Sequence, residues 1–319
     1  MNTDFWLSGS VHRGYSEDDV TLVTGGTGMV GKHLMQYMPD AVMISHGKYD
    51  LRNEADVKSM FQHYKPTRVI HLAARVGGLL DNMIRGSDYL EDNVMMNTLI
   101  VKYARIAGVK KCILVGSSCI YPAEVSSYPM TMEDLLKGPP PQGNRGYAYA
   151  KRLMTVHMEE CNRQHGTKFQ CVYPCNLYGP YDNFNPKSSH MIAATVRKVH
   201  EAKEELVMLG DGTPQRQFMY ADDLAWALRT LVKNDEDYNS YNIAPPDSNR
   251  TIKEYAEAVV KASGKDLAIT FDGEVQFNGQ PRKDIDASAF YKAYPDMKFT
   301  SLEDGLKKTV DGYANQRHH

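Results

Sequence analysis

"VTLVTGGTGMVGKHL" (residues 20–34) sets a short apolar β-rich run directly before glycines at 25, 28 and 31, and those before a helical pattern. Glycine allows a tight turn and close approach of the backbone. The helix that follows points free N–H groups at whatever lies over the turn. This combination predicts a strand, a phosphate-cradling loop through Gly25, Thr27, Gly28, Met29, Val30 and Gly31, and a helix whose N-terminus faces a pyrophosphate. A bare strand-to-helix turn would need fewer glycines at less regular spacing.

The same texture continues outward. Strands are expected at 41–45, 68–74, 111–117 and 169–176, separated by helices over 29–38, 53–65, about 89–107 and 147–164. Strands apolar on both faces that alternate with helices predict an α/β fold, a Rossmann-like doubly wound parallel sheet. After Asn176 the pattern changes. A Gly-, Pro- and Asn-rich loop (177–189) precedes a helix (190–204), a strand (206–209) and a turn, "GDGTPQRQ" (210–217). "YNIA" (241–244) reads as a strand returning to the main sheet, and 251–264 as a helix between a Thr251 N-cap and Gly264. The expected organisation is a flexible extension at 1–19, a dinucleotide-binding lobe at 20–176 with returning segments near 217–245, and a stretch at 177–315 that is mainly the smaller substrate lobe.

Composition narrows the function classes. A 319-residue chain that is 42% hydrophobic and 24% charged can bury a large core. Its net charge of −2 carries no footprint for nucleic acid. No apolar run reaches the roughly eighteen residues of a membrane span, so a cytoplasmic protein is expected. Five cysteines, with no C-x-x-C pair, argue against a disulfide framework or a zinc site and predict free thiols and no metal.

Two clusters carry chemistry. "GYAYAKR" (146–152) places Tyr147 and Lys151 on one helical face, where an ammonium is expected to lower the phenol's pKa and let it trade protons. "GSSCIYP" (116–122) places Ser117, Ser118 and Cys119 where the fourth strand ends. At the end of the second strand, the position that often holds a ribose-binding acid is Ser45, followed by His46 and Lys48. The missing carboxylate and the two basic groups favour NADP. Asp50 is expected either to meet the adenine or to start the next helix.

With these residues in view, the chain resembles the extended short-chain dehydrogenase/reductase family over about residues 20–315. The specific stretches are "RVGG" (75–78), "SSCIYP" (117–122), "NLYGPYDNF" (176–184), "SSH" (188–190) and "GTPQRQF" (212–218). Within the family it is most similar to the branch that epimerises carbons 3 and 5 of GDP-4-keto-6-deoxy-D-mannose and reduces carbon 4 with NADPH. The resemblance implies a catalytic Ser117, Tyr147 and Lys151, and a Cys119/His190 pair that moves the protons. It extends the cofactor contacts to Leu51, to Leu72, Ala73 and Ala74, and to Pro174, Asn176 and Leu177. It places Ser118, Asn183, His190, Arg197, Lys198, Arg216 and Lys283 against the GDP-sugar. Lys198 stands where an arginine is common, which keeps the charge but drops the bidentate fork. A homodimer through the helices at 89–107 and 147–164 is implied as well. Two rivals fit less well. A 4,6-dehydratase is expected to carry Asp-Glu where this chain has Ser118-Cys119, and a simple 4-epimerase has little use for a Cys/His pair. A non-catalytic dinucleotide sensor would have no need of Tyr147 and Lys151.

Overall fold

A computed structural model describes residues 19–316; the expected extension lies, apart from Asp19, outside the described residues. In chain order the elements of the first half are β1 (Thr21–Thr24), α1 (Met29–Tyr37), β2 (Val42–Ile44), α2 (Glu54–Tyr64), β3 (Arg68–His71), α3 (Leu79–Ile84), α4 (Gly86–Ile106), β4 (Lys111–Val115), α5 (Arg145–His165), β5 (Phe169–Pro174) and β6 (Asn176–Tyr178). The second half holds α6 (Met191–Glu201), β7 (Glu205–Met208), β8 (Gln215–Tyr220), α7 (Ala221–Lys233), β9 (Tyr241–Ile243), β10 (Asn249–Thr251), α8 (Ile252–Ser263), β11 (Ala268–Phe271), β12 (Arg282–Lys283), α9 (Ser288–Ala293) and α10 (Leu302–Gln316).

Six parallel strands in the order β2-β1-β3-β4-β5-β9 form the main sheet. Every residue of β1, β3 and β5 is buried, as a strand covered on both faces requires. α1 packs with α7, while α2 and α5 pack against α4. Right-handed crossovers put these two groups on opposite faces of the sheet. The strand order reverses direction between β1 and β3, and a crevice opens there at the carboxyl ends of the strands.

A second hydrophobic core, which includes Tyr178, Ile192, Val196, Leu206, Tyr255 and Leu306, lies among α6, α8, α10 and the sheet β10-β8-β12, with β6 joined to β8. Local chemistry closes several elements. Asn53 caps α2 by accepting from the N–H groups of Ala55 and Asp56, and Thr251 and Glu254 form a capping box on α8.

Two expectations are corrected. The stretch 210–217 is only partly a turn, because β8 already begins at Gln215. The strand expected to run to Ser117 ends at Val115, and Ser118–Ile120 form a 3-10 turn with Ser118 buried, so Ser118 is not a strand-end residue alternating with its neighbours. Ile285, Phe290 and Met297 belong to the larger core, a further return of the chain after 177 to the main unit.

Candidate active site

The glycine loop is fixed by contacts that leave no room for side chains. Gly25 has φ +70°, and a Cβ there would sit 2.8 Å from the Ala73 nitrogen. A Cβ on Gly31 would sit 2.5 Å from the Gly26 carbonyl oxygen. The loop is therefore pressed against Leu72 and Ala73 at the switch point. Thr24 Oγ1 lies 2.7 Å from His71 Nδ1 and accepts from the Ala73 N–H at 3.3 Å, which ties the ends of β1 and β3 together. His71 Nε2 meets Asn97 at 3.0 Å. Burial, helped by the charge of Lys151, pushes this imidazole down to about 3, so it is neutral. Gly28 caps α1 with no side chain in the way. A flat backbone cradle, an open helix N-terminus and the crevice above them fit a dinucleotide pyrophosphate, held by the segment from Gly25 through Thr27, Met29 and Val30 to Gly31.

At the end of β2, Ser45 turns the chain by accepting from the N–H of Lys48 at 3.1 Å, and His46 is exposed. Lys48 donates to the Tyr64 hydroxyl. Asp50 is paired with Arg52 at 2.7 Å, whose hydrogen bonds hold the carboxyl down at about 2. Asp50 does not start α2; Asn53 does. Leu51 is buried. Arg52, which the sequence reading passed over, is an exposed guanidinium that also reaches Asp92 at 3.1 Å, and Asp92 in turn holds Arg75 of "RVGG" at 2.7 Å.

Ser117, Tyr147 and Lys151 come together where β4 ends beside α5. Lys151 is buried and donates from Nζ to the Val115 carbonyl at 2.7 Å, and Nζ lies 5.9 Å from the centre of the Tyr147 ring. Burial brings Lys151 down to about 8. Tyr147 behaves against expectation. Burial and the charge of Cys119 push its phenol up, and only the hydrogen bond with Ser117 opposes them. Lys151, bonded to the Val115 carbonyl and 5.9 Å from the ring centre, does not lower it. A firmly held phenol proton suits a proton donor. The neighbouring Tyr149 is exposed, with the guanidinium groups of Arg145 and Arg152 each 5.7 Å from its ring centre.

Cys119 sits in the 3-10 turn, half-buried, and its N–H donates to Ser117 Oγ at 3.2 Å. Lys283 Nζ lies 3.1 Å from its sulfur. Burial raises the thiol's pKa, but the Lys283 charge and hydrogen bonds from Ser117, Lys283 and Asn144 outweigh it, and the net shift is downward. Arg152, buried one residue after Lys151, fixes this turn by donating from Nε to the Ile120 carbonyl at 2.5 Å and from an Nη to Gly138 at 2.6 Å. His190 caps α6. Burial, then the charge of Lys283, lower its pKa. The loop before it is held by the Gly78 N–H donating to the Ser188 carbonyl at 2.9 Å, and a Cβ on Gly78 would meet the Ser189 oxygen at 2.5 Å. "RVGG" and "SSH", far apart in sequence, are two sides of one contact.

The remaining expected residues divide. Asn176 donates to the Gln217 carbonyl at 2.9 Å and, with buried Pro174 and half-buried Leu177, links β5 and β6 to β8. Arg216 is held by the carbonyls of Gln215, Asn278 and Gln280 at 2.6–3.0 Å. Asn183 donates to Ser188 at 2.9 Å within its own loop, Arg197 pairs with Glu201 at 2.6 Å, and Lys198 donates to the Val207 carbonyl at 2.8 Å. None of these three touches the Cys119 group. Asn144, Arg152 and Asp182, a carboxyl that burial pushes up to about 7, carried no signal in the sequence beyond their nearness to quoted motifs.

Comparison with known proteins gives the family of the chain. The sequence profile described as the NAD dependent epimerase/dehydratase family matches residues 21–244. GDP-L-fucose synthase 1 of Arabidopsis thaliana is 36% identical over 91% of this chain and 92% of its own length. GDP-L-fucose synthase of Dictyostelium discoideum is 32% identical over 93% and 97%. The crystal structure of a GDP-L-fucose synthetase from Naegleria fowleri bound to NADP superposes with a TM-score of 0.85 at 32% identity, covering 96% of each chain. The chain belongs to the NAD dependent epimerase/dehydratase family and, within it, stands among the GDP-L-fucose synthases.

Proposed function

We propose that this chain converts GDP-4-keto-6-deoxy-D-mannose to GDP-L-fucose, epimerising carbons 3 and 5 and reducing carbon 4. The observation that carries the reading is the meeting of Cys119 with Tyr147 and Ser117. The Cys119 N–H donates to Ser117 Oγ at 3.2 Å and Ser117 is hydrogen-bonded with Tyr147, which puts a thiol beside a reductase pair. NADP(H), when bound, supplies the hydride that carbon 4 receives. Protons on carbons 3 and 5 are acidic because the carbon-4 ketone flanks them. Cys119 takes one from one face, the C–H electrons move to the ketone oxygen, and Ser117 and Tyr147 donate hydrogen bonds to that oxygen. His190 returns a proton on the other face. Tyr147 then protonates the carbon-4 oxygen as reduction occurs. Lys151 keeps a positive charge beneath it.

The glycine cradle and the switch-point crevice support an NADP site, and His46, Lys48 and Arg52 form the basic rim where a 2′-phosphate would lie. Residues 177–315 supply most of the sugar side, with Arg216 the best-placed cation for the diphosphate. The exposed apolar residues Leu90 and Met95 on α4 and Leu153 and Val156 on α5 suit the matching face of a second copy. Light scattering should then give twice the chain mass of 36.0 kDa. Among the described residues no helix is long and apolar enough to cross a membrane, and the five free cysteines suit a reducing cytoplasm.

The test is NADPH oxidation with GDP-, UDP- and dTDP-4-keto-6-deoxy sugars, repeated with NADH. Turnover is expected with the GDP-sugar, with NADPH preferred by at least ~10-fold, the worth of one charge-assisted contact of about 1.4 kcal/mol. Equal rates on all three sugars would remove the substrate assignment.

A further inference from the structure

We propose that Lys283 is a positioning residue for the proton transfers: its ammonium is the counter-ion of a resting Cys119 thiolate, so that the base is a Cys–Lys ion pair. This rests on the proposed epimerisation at that thiol.

The geometry comes from the smaller unit. Lys283 lies on β12, which runs parallel to β8 with Lys283 opposite Arg216. Its side chain is buried and ends 3.1 Å from the Cys119 sulfur, 164 positions away. The neighbouring carboxylate does not neutralise it, since Asp284 is engaged by Arg282 through bonds of 2.5 and 2.8 Å. Arg216 is spent on backbone carbonyls. Among the described residues neither cation has a carboxylate within ion-pairing distance, and the sulfur is the anion the pocket offers them. The groups facing Cys119 are Ser117 on its own turn, Asn144 before α5, Tyr147 on α5, Arg216 on β8 and Lys283 on β12. Only Lys283 and Arg216 among these bring positive charge.

The pairing has a consequence for both faces of the sugar. A thiolate is the form that can accept the carbon-bound proton, and a cation beside it keeps that form populated at neutral pH. When the S–H bond forms, the C–H pair passes to the ketone oxygen and Lys283 is left without its partner, which favours return of the thiol proton at the end of the cycle. The same charge acts on His190 and disfavours its protonated form. A protonated His190 is therefore a stronger acid, ready to release its proton to the opposite face.

Iodoacetamide alkylation of Cys119, followed by peptide mass spectrometry from pH 5 to 10, reads the thiolate without any sugar. The other four cysteines are buried. The wild-type enzyme should titrate clearly below the ordinary thiol value of ~8.5. Lys283→Met should move the midpoint up by at least one pH unit, which slows alkylation at pH 7 about tenfold, and Lys283→Arg should restore most of it. Unchanged NADPH binding by Lys283→Met shows that its fold is intact. Deuterium wash-in at carbons 3 and 5 should fall in parallel at pH 7 and recover as the pH is raised. A wild-type midpoint at or above the ordinary value overturns the ion pair even if the methionine variant fails to fold. So does a Lys283→Met midpoint equal to that of the wild type. A low midpoint that depends on Lys283 in an enzyme with no wash-in on the GDP-sugar would instead uphold the pair and refute the epimerase reading.

Discussion

The two halves of this site are assembled in different ways. Ser117, Tyr147 and Lys151 come from the end of β4 and the helix packed beside it, within one parallel-sheet lobe. Cys119 leaves that same strand end but meets Lys283 across 164 positions, and His190 arrives at the start of α6 on a loop held by "RVGG". The proposed reductive half is written into neighbouring elements of one lobe, whereas the proposed proton-moving half also draws on β12 and the start of α6. The difference implies that the two chemistries can be damaged separately.

The strongest break should come at Tyr147. Tyr147→Phe removes the proton donor and keeps the ring, so NADPH oxidation should drop by ~10²–10⁴, the usual worth of general acid catalysis. Deuterium exchange at carbons 3 and 5 should fall less than reduction does, because Tyr147 also donates to the enolate oxygen but Ser117 remains as a second donor. Stopped-flow absorbance and NMR on the same preparation check both, and loss of exchange equal to the loss of reduction would mean that the halves are not separable.

Gly31→Ala attacks the cofactor cradle. Its Cβ would lie 2.5–2.6 Å from backbone atoms of Gly26, which cannot swing away. Destabilisation of ~1–3 kcal/mol is expected, read by urea unfolding, with NADPH affinity weakened. The alkylation profile of Cys119 should not move in the folded variant, because nothing in the Lys283 contact passes through α1.

The gentlest test is pH. Burial lowers Lys151 from its ordinary 10.5 to about 8, so its charge is complete well below that value and lost above it. If that charge supports Tyr147, NADPH oxidation at saturating substrate should halve near pH 8 and keep falling at higher pH. A rate flat to pH 10 would free Lys151 of this role.

The sequence made the first half of this comparison legible and hid much of the second. Glycines at regular spacing after an apolar run, and a tyrosine and lysine one helical turn apart, are local signals, and the parallel sheet follows from alternation along the chain. β8 was masked by Gly210, Gly212 and Pro214, which open its strand as a turn. The lowered phenol expected at Tyr147 failed because burial and the charge of Cys119 outweigh the Ser117 hydrogen bond, while Lys151 points to the Val115 carbonyl. Lys283 could be placed near the sugar by resemblance, but its contact with Cys119 depends on how β12 pairs with β8, which no local pattern encodes.

The central claim, that a thiol moves protons beside a separate reductive group, is tested most directly by following deuterium from D₂O into carbons 3 and 5 of the keto sugar with Cys119→Ser. A hydroxyl of nearly the same size is far harder to ionise than a thiol of ordinary pKa ~8.5. The account predicts that the variant binds NADPH and sugar normally, exchanges those protons very slowly, and reduces the unepimerised ketone to a different sugar. Exchange at the wild-type rate would make Cys119 a packing residue and contradict the account.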